Sequence, residues 1–285
     1  MRLLVLGGGG MLGRAVVRDA ARLGHDVVAL ARPDLDITDP DRVTHAVAEV
    51  APRAIVNCAA FTDVDGAETR EPAALRVNGD GAGNVARAAA EASARVVHVS
   101  TDYVFDGSKR EPWVESDPVA PLQAYGRTKL AGERAVADAN PEHAIVRAAW
   151  LFGAGGPNFV ATMLRLGAER DEVTVVTDQR GGPTWTGHLA AALVEVAERE
   201  GDVGLFHASG NGACSWYEFA VEIFDRARMR CRVVPTTSER MARPARRPAY
   251  SVLGTEREPG IVLPPWQDGL ASYLAEQAGT GAAAA

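Results

Sequence analysis

The feature that most constrains the fold of this chain is a glycine-rich turn near its amino terminus. Residues 2–6 form a short apolar run, and residues 11–23 show the apolar periodicity of a helix. Between them, Gly7, Gly10 and Gly13 have the spacing GxxGxxG. Glycines at this spacing let the backbone approach a pyrophosphate closely at the start of a helix. A strand, a glycine turn and a helix in this order predict a dinucleotide site, with Gly7, Gly10, Met11 and Leu12 as cofactor contacts.

Strand-like and helix-like runs continue to alternate after this unit. Further β-rich runs are residues 26–30, 54–58, 95–99 and 144–148, and Ala-rich runs at 41–50, 73–92 and 125–139 are expected to be crossover helices. Strands separated by helices pair in parallel, and the helices cover both faces of the sheet. The pattern therefore predicts an α/β fold, a Rossmann-type doubly wound parallel sheet with a smaller C-terminal substrate-binding lobe.

The regular pattern ends near residue 150. We expect an NAD(P)-binding domain over residues 1–150, with returning segments from 185–215, and a mainly substrate-binding lobe over 151–275. Within the lobe we expect helices at 158–170, 187–200 and 215–228, a strand at 173–176 and a loop at 235–250. Residues 276–285 include GTGAAAA and are expected to be a disordered tail, because such small residues have nothing to pack against.

Composition excludes several classes of function. The 285 residues carry a formal net charge of −7 with scattered basic residues, which argues against nucleic-acid binding. The opening MRLLVLGGGG is too short for a signal peptide or a membrane span, so we expect a cytoplasmic protein without membrane contact. The three cysteines lack CxxC spacing, so we expect reduced, mostly buried thiols and neither disulfides nor zinc.

The end of the second β-rich run bears on the choice of cofactor. An acidic residue there would bind a ribose 2′-hydroxyl, but the chain has Leu30-Ala31-Arg32. Arg32 favours NADPH, with NADH possible, although a solvated surface arginine is the competing interpretation. Asp36 and Ile37 are placed to flank the adenine, and the competing role of this segment is a helix N-cap near Thr38 or Asp39. Ala59 and Ala60, small residues after the third run, would let a dinucleotide lie across the sheet edge.

A tyrosine and a lysine three residues apart indicate proton transfer. Lys129 follows Tyr125 by one helical turn on the same face. A phenol with a pKa of about 10 needs a nearby cation to exchange its proton at neutral pH. We therefore expect Tyr125 to be the proton donor, Lys129 to lower its pKa and bind the nicotinamide ribose, and Thr101, at a strand end, to orient the substrate carbonyl. A Tyr and a Lys at this spacing are common on surface helices. The pair indicates an active site only because it follows the glycine turn and the Ser-Thr at a strand end, in that order along the chain.

Two further polar residues are left outside this catalytic set. His98 lies among apolar residues and is expected to be a satisfied core histidine. Asn78 either organises the region through backbone contacts or is an ordinary helix-surface residue.

Together these motifs resemble the extended short-chain dehydrogenase/reductase superfamily and, within it, the dTDP-4-dehydrorhamnose reductases. Beyond the glycine turn and YGRTK, the likeness rests on the blocks at residues 57–68, 100–107, 147–153, 178–184, 215–220 and 247–251. The resemblance implies NAD(P)H-dependent reduction of the C4 keto group of a dTDP-4-keto-6-deoxy sugar, most directly dTDP-4-dehydrorhamnose to dTDP-L-rhamnose or a related deoxysugar. It also implies cofactor contact by Thr62 and a sugar pocket formed by Thr62, Val64, Thr101, Asp102, Tyr103, Tyr125 and Trp150.

The chain departs from the family pattern at two places. Gly254 stands where the pattern usually has Asp, so the C-terminal lobe could hold its ligand differently. Some family members are joined by a metal at an acidic dimer contact near the first helix, but here that helix carries Arg14 and Arg18. We therefore predict no metal site, and a monomer or a homodimer.

Two other functions remain open at this stage. The first is a dehydratase or epimerase on the same scaffold, which would recycle its cofactor. A dehydratase would have Glu directly after Thr101-Asp102, but this chain has Tyr103 there. The chain therefore lacks the carboxylic acid that would protonate a departing hydroxyl. The second is a non-catalytic NADP-binding regulatory subunit, because the β subunit of methionine adenosyltransferase resembles these reductases. NADPH turnover by the lone chain would decide between catalysis and regulation.

Overall fold

A computed structural model describes residues 1–199 and 201–282 of the protein. Its strands are β1 Arg2–Leu6, β2 Asp26–Leu30, β3 Ala54–Asn57, β4 Arg95–Thr101, β5 His143–Ala148, β6 Leu151–Phe152, β7 Glu172–Val176, β8 Arg180–Gly181, β9 Thr184–Trp185, β10 Gly204–His207, β11 Cys214–Ser215 and β12 Arg232–Thr236. Its α-helices are α1 Met11–Arg22, α2 Pro40–Val50, α3 Val64–Ala67, α4 Glu71–Leu75, α5 Ala82–Glu91, α6 Ala124–Ala139, α7 Phe159–Glu169, α8 Thr186–Glu198, α9 Trp216–Arg226 and α10 Trp266–Ala282. A π-helical turn, Arg76–Gly81, joins α4 to α5, and a 3₁₀ turn, Asp102–Val104, follows β4.

Six strands form one parallel sheet in the order β10-β5-β4-β3-β1-β2. The chain starts at β1, adds β2 on one side, and then adds β3, β4 and β5 on the other. The strand order therefore reverses next to β1, where parallel α/β sheets form a ligand crevice at their carboxyl edge. This confirms the predicted Rossmann-type doubly wound sheet.

Both faces of the sheet are buried, as continuous apolar strands require. Leu3 and Val5 of β1 pack with α1 and α8 on one face, whereas Leu4 and Leu6 pack with α2 and α5 on the other. This alternation follows from the two-residue period of a strand. Because β1 is fixed from both sides, the glycine turn that follows it has a defined position at the sheet edge.

The C-terminal part packs around its own aromatic core. Phe152, Phe219 and Ile223 are fully buried there, next to a two-stranded parallel sheet of β7 and β12. In this part the predicted loop at 235–250 is wrong at its start, because β12 continues to Thr236 in register with β7. A pairing between segments this far apart in sequence leaves no local pattern to predict it.

Two further sequence-based expectations need correction. The predicted helix at 73–92 is interrupted by the π-helical turn Arg76–Gly81. The disordered tail predicted for residues 276–285 is wrong over its first part, since α10 continues to Ala282, anchored by Leu270 and Tyr273 in the aromatic core. Residues 283–285 lie outside the described residues.

The sheet takes its last strand from the C-terminal half of the chain. β10 pairs with β5, and α8 packs against α1 beneath the sheet. The exact division into residues 1–150 with segments from 185–215, and 151–275, stays a prediction. Among the helices that the structure describes, none is long and apolar enough to span a bilayer.

Candidate active site

A cavity of about 1290 Å³ opens at the carboxyl edge of the central sheet. It is bordered by the segments that follow β1, β2, β3 and β4 and by the first turns of α1 and α6. All residues that the sequence predicts for cofactor, substrate or catalysis line it, although their individual roles stay predictions. These residues are Gly7, Gly10, Met11, Leu12, Arg32, Asp36, Ile37, Ala59, Ala60, Thr62, Val64, Thr101, Asp102, Tyr103, Tyr125, Lys129 and Trp150.

The glycine turn is a backbone cradle that a side chain would fill. Gly7 has a φ of +74°, and a Cβ there would lie 2.7 Å from the Ala59 nitrogen. A Cβ on Gly13 would lie 2.2 Å from the Gly7 oxygen, so α1 can approach the turn only through glycine. Gly10 gives α1 no side-chain cap, which leaves N–H groups of its first turn available. Such a helix start favours a phosphate group.

Arg32 and Asp36 lie at the far end of the cavity, after β2. Arg32 Nε is 3.6 Å from Asp36 Oδ2, and the two side chains are 64% and 41% exposed. Asp36 Oδ1 accepts from the Thr38 amide over 3.0 Å, and this bond holds the pKa of Asp36 below its ordinary value. The N-cap of α2 is Asp39, one of the two positions expected for it, and its side chain accepts from the Arg42 amide over 3.1 Å.

Hydroxyl and carboxyl groups from the end of β4 meet Tyr125 in the cavity. The Thr101 hydroxyl donates to Asp102 Oδ1 over 3.1 Å and accepts from the Tyr103 amide over 3.2 Å. The Tyr125 phenol is hydrogen-bonded to the Thr101 side chain, while burial and Asp102 raise the pKa of Tyr125 to about 12. The phenol therefore keeps its proton at neutral pH, which a proton donor requires.

Lys129 lies behind Tyr125 and is 2% exposed. Its Nζ donates to the Val99 carbonyl over 2.7 Å and lies 3.3 Å from His98 Nε2. Burial lowers the pKa of Lys129 to about 8. The sequence predicts that Lys129 lowers the pKa of Tyr125, but in the structure that pKa is raised, because burial and Asp102 dominate. The broader role of Lys129 stays a prediction.

Asp102 supplies a carboxyl group that the sequence argument leaves out. It is 3% exposed, and burial raises its pKa to about 7. A substantial fraction is therefore carboxylic acid at neutral pH. Asp102 is therefore a carboxyl group in the cavity that the sequence comparison with a dehydratase did not count.

Asn78 lies in the π-helical turn, and its hydrogen bonds hold two segments of the cavity wall together. Its Nδ2 donates to the Phe61 carbonyl over 3.1 Å and to Thr128 Oγ1 over 3.0 Å, while its Oδ1 accepts from the Phe61 amide over 2.8 Å. Asn78 is 1% exposed, which excludes the interpretation as a helix-surface residue. It fixes the loop after β3 against α6, the helix that carries Tyr125 and Lys129.

Two stacked indoles, Trp150 and Trp216, form part of the cavity wall. The Trp150 and Trp216 rings are 3.5 Å apart at their centroids and 4° from parallel. Trp150 has a φ of +48°, and a Cβ on Gly181 would lie 2.3 Å from its ring. Trp216 Nε1 donates to Gln179 Oε1 over 3.2 Å, which fixes the second ring.

The cavity lining includes residues missing from the set predicted by sequence, among them Arg14, Arg76 and Trp216. Arg14 directly follows the glycine turn, and its Nε donates to the Gly9 carbonyl over 2.8 Å. Because Arg14 directly follows the predicted phosphate-binding turn, the sequence could have predicted that it lines the cavity. Arg76 faces the cavity through the π-helical turn, which no sequence pattern indicates. In the described part of the chain, no group of three or more His, Cys, Asp or Glu side chains could hold a metal ion.

Comparison with known proteins places this geometry in a family. The profile of the family described as RmlD substrate binding domain matches residues 1–278. The chain is 47% identical over 274 residues to a dTDP-4-dehydrorhamnose reductase of Streptomyces griseus, covering 93% of this chain and 89% of that protein. It is 46% identical over 274 residues, covering 94% and 92%, to a probable dTDP-4,6-dihydroxy-2-methyloxan-3-one 4-ketoreductase of Streptomyces antibioticus.

Solved structures agree with the sequence relatives. A dTDP-4-dehydrorhamnose reductase of Clostridium acetobutylicum superposes with a TM-score of 0.94 at 42% identity, covering 97% of this chain and 99% of that one. A dTDP-4-dehydrorhamnose reductase of Bacillus anthracis in complex with NADP superposes with a TM-score of 0.94 at 37% identity, covering 96% and 99%. The fold, the order of the site motifs and these matches agree, and the chain belongs to the dTDP-4-dehydrorhamnose reductase family, that of the RmlD substrate binding domain.

Proposed function

We propose that this protein reduces the C4 keto group of a dTDP-4-keto-6-deoxy sugar with NADPH, most directly dTDP-4-dehydrorhamnose to dTDP-L-rhamnose. The observation that carries the proposal is the meeting of Thr101, Tyr125 and Lys129 in one cavity with the glycine cradle. A proton donor at the same sheet edge as a dinucleotide cradle is the arrangement that carbonyl reduction needs. Family membership supports the nucleotide-sugar substrate.

The cavity fits a dinucleotide phosphate in shape and in charge. Gly7 and Gly13 leave the space that a Cβ would fill, and the start of α1 offers backbone donors. Arg14, Arg32 and Arg76 border the same cavity, so cationic side chains are available for the pyrophosphate and for a 2′-phosphate. When bound, NADPH supplies the hydride for the reduction.

The chain supplies the proton and orients the carbonyl. Tyr125 donates its phenolic proton to the oxygen that becomes the C4 hydroxyl. Its hydrogen bond to Thr101 holds the phenol in place. The Thr101 hydroxyl, which donates to Asp102 in the free protein, turns to donate to the same substrate oxygen. Lys129, one helical turn further along α6, binds the ribose and stabilises the phenolate that forms.

The sugar nucleotide lies between the β4 end and the indole wall in this proposal. Trp150, buttressed by Trp216, offers a flat apolar face to a sugar or base ring. Thr62, Val64, Asp102 and Tyr103 line the same cavity and offer both apolar and hydrogen-bonding contacts. We assign residues 151–275 mainly to this sugar-binding part and residues 1–150, with segments from 185–215, to the cofactor.

The test is incubation of the lone chain with NADPH and a panel of dTDP-4-keto sugars. Reduction must consume one NADPH per product, followed as absorbance loss against product formed, and product stereochemistry identifies the preferred sugar. A recycling epimerase or dehydratase would give product without net NADPH loss. Tight NADPH binding with no turnover of any substrate would instead favour the regulatory-subunit alternative.

A further inference from the structure

The cavity wall at Tyr103 is held from outside by a segment of the C-terminal part, residues 243–251. This segment contains Arg247, whose side chain is 13% exposed and reaches Asp65 in α3. Arg247 Nη1 and Nη2 donate to the two carboxylate oxygens of Asp65 over 2.5 and 2.9 Å. A bidentate pair of this kind fixes the plane of the guanidinium as well as its position. Arg247 therefore ties the C-terminal part to the chain that follows β3.

The Asp65 carboxylate anchors more of the segment than Arg247 alone. It accepts from the Ala245 amide over 3.1 Å and lies 3.5 Å from Arg243 Nη1. The hydrogen bond from Arg247, more than any other contact, lowers the pKa of Asp65 to about 2. Arg247 Nη1 also donates to the Ala245 carbonyl over 2.6 Å, so the guanidinium is held from two sides.

Backbone hydrogen bonds fix the other end of the segment. The Arg180 amide donates to the Ala249 carbonyl, and the Ser251 amide donates to the Arg180 carbonyl, each over 2.8 Å. Trp113 Nε1 donates to the Tyr250 carbonyl over 3.0 Å. Because both ends are fixed by the fold, the position of the guanidinium does not depend on a bound ligand.

The same guanidinium reaches the Tyr103 phenol. Burial and Asp102 raise the pKa of Tyr103, although a hydrogen bond with Arg247 lowers it, and the phenol is uncharged at neutral pH. A guanidinium has five N–H donors and no acceptor, so the phenol oxygen must accept in this bond. The phenolic proton is then left for another partner. Since Tyr103 lines the cavity, that partner can be a bound ligand.

We propose that Arg247 is a positioning residue that determines sugar specificity: held by Asp65, it orients the Tyr103 phenol to donate its proton to an oxygen of the bound sugar. The proposal rests on the reductase function proposed above, but concerns the selection of the sugar and not the chemical step. The Tyr103 ring lies edge-on to Tyr125, with ring centroids 6.1 Å apart, so this donor lies beside the proton donor. A sugar without the matching oxygen is disfavoured, because it leaves the phenolic proton unpaired.

The orientation of Tyr103 is tested without any substrate by ¹³C labelling of tyrosine at Cζ, whose chemical shift reports hydrogen bonds to the phenol. The chain has five tyrosines, and Tyr103→Phe assigns the signal. We expect this signal to move in Arg247→Met and in Asp65→Asn. Arg243→Met is the matched control and should leave it in place, because Arg243 contacts the same carboxylate but is 58% exposed. An unchanged signal in Arg247→Met would overturn the proposal.

Steady-state kinetics with dTDP-4-dehydrorhamnose separate sugar positioning from catalysis. In Arg247→Met we expect the KM for the sugar to rise about tenfold, the worth of about one hydrogen bond, and kcat to fall less than about threefold. NADPH affinity should not change. Asp65→Asn should raise KM by less, and its partly exposed site lets it fold even if Arg247→Met does not. A lower kcat with an unchanged KM would refute the proposal.

A double-mutant cycle shows whether Arg247 acts through Tyr103. In a Tyr103→Phe background we expect Arg247→Met to raise KM further by less than about twofold, because the phenol that it orients is gone. Equal rises in the two backgrounds would mean that Arg247 contacts the sugar directly, which would overturn the proposal. If the parent reduces no sugar, the proposed function fails, whereas the Tyr103 Cζ signal still decides whether Arg247 orients the phenol.

Discussion

Tyr125 carries the most specific prediction at the scale of single residues. Tyr125→Phe removes the phenolic proton and leaves the ring, so we expect kcat for NADPH consumption to fall about 10²- to 10⁴-fold. NADPH affinity, measured by fluorescence titration, should change little. The control is Tyr217→Phe, because Tyr217 packs in the aromatic core of the C-terminal part. Near-normal turnover in Tyr125→Phe would contradict the assignment.

Arg32 determines the cofactor preference in our proposal. Its side chain is 64% exposed and its one ion pair, with Asp36, is long, so it is free to turn toward a 2′-phosphate. Arg32→Ala should weaken NADPH binding about fivefold and leave NADH binding unchanged, the size expected for an exposed charge pair. Arg165→Ala, a surface residue of α7, is the control. Equal affinities for NADPH and NADH in the parent would refute the prediction.

The sequence was informative about which residues surround the cavity and uninformative about their protonation. Thr101, Tyr125 and Lys129 follow strands or start helices, so their common position at the sheet edge follows from topology. The pKa values of Asp102 and Tyr125 depend on burial by distant segments, which the sequence does not display. Trp216 was visible as part of a motif, but only its stacking on Trp150 shows why it matters.

Among the elements, the π-helical turn has the clearest structural role. Asn78→Ala would leave the Phe61 amide and carbonyl, and Thr128, without these partners. We expect the free energy of unfolding to fall by about 1–3 kcal/mol, the cost of unsatisfied buried polar groups. Urea denaturation of the parent and of the variant measures this loss of unfolding free energy. Asp80→Ala, exposed on the same turn, is the matched control and should lie within about 0.5 kcal/mol of the parent. An equal loss in both variants would contradict the role of Asn78.

Elements with a local pattern were predicted well, and those that depend on distant partners were not. The strands and helices up to residue 148 follow from apolar periodicity and lie within a few residues of the prediction, apart from the short helix α3, which was not predicted, and the π-helical turn. β10 and α10 were missed because their positions depend on β5 and on the aromatic core, which lie far away in sequence.

For the whole molecule, buried neutral histidines make stability depend on pH. His207 Nε2 lies 3.4 Å from Arg147 Nη1, and burial holds the pKa of His207, like that of His98, below the ordinary value of 6.5. The unfolded chain therefore binds more protons below pH 6.5, so stability is complete above that pH and is lost as the pH falls. We expect a loss approaching about 1.4 kcal/mol per pH unit for each histidine.

Thermal unfolding between pH 6.5 and 5.5 tests this, since the carboxylates other than Asp102 stay ionised in that window. Asp102, whose pKa burial raises to about 7, gains its proton there and offsets the loss from about one histidine. His207→Gln should be less stable than the parent at pH 7 but should show a smaller decrease toward pH 5.5. His45→Gln, at an exposed site on α2, should follow the parent. A decrease in melting temperature as large in His207→Gln as in the parent would show that this buried histidine does not control acid stability.

Because β10 is the outer neighbour of β5, the specificity of one relative cannot be transferred to another by a single crossover after residue 150. Such a chimaera would combine β5 and α1 of one parent with β10 and α8 of the other, across interfaces that are buried in each. A chimaera that folds needs crossovers that take residues 186–207 and residues 1–150 from the same parent. The C-terminal region that we assign to the sugar is therefore split into two separate segments, one on each side of residues 186–207.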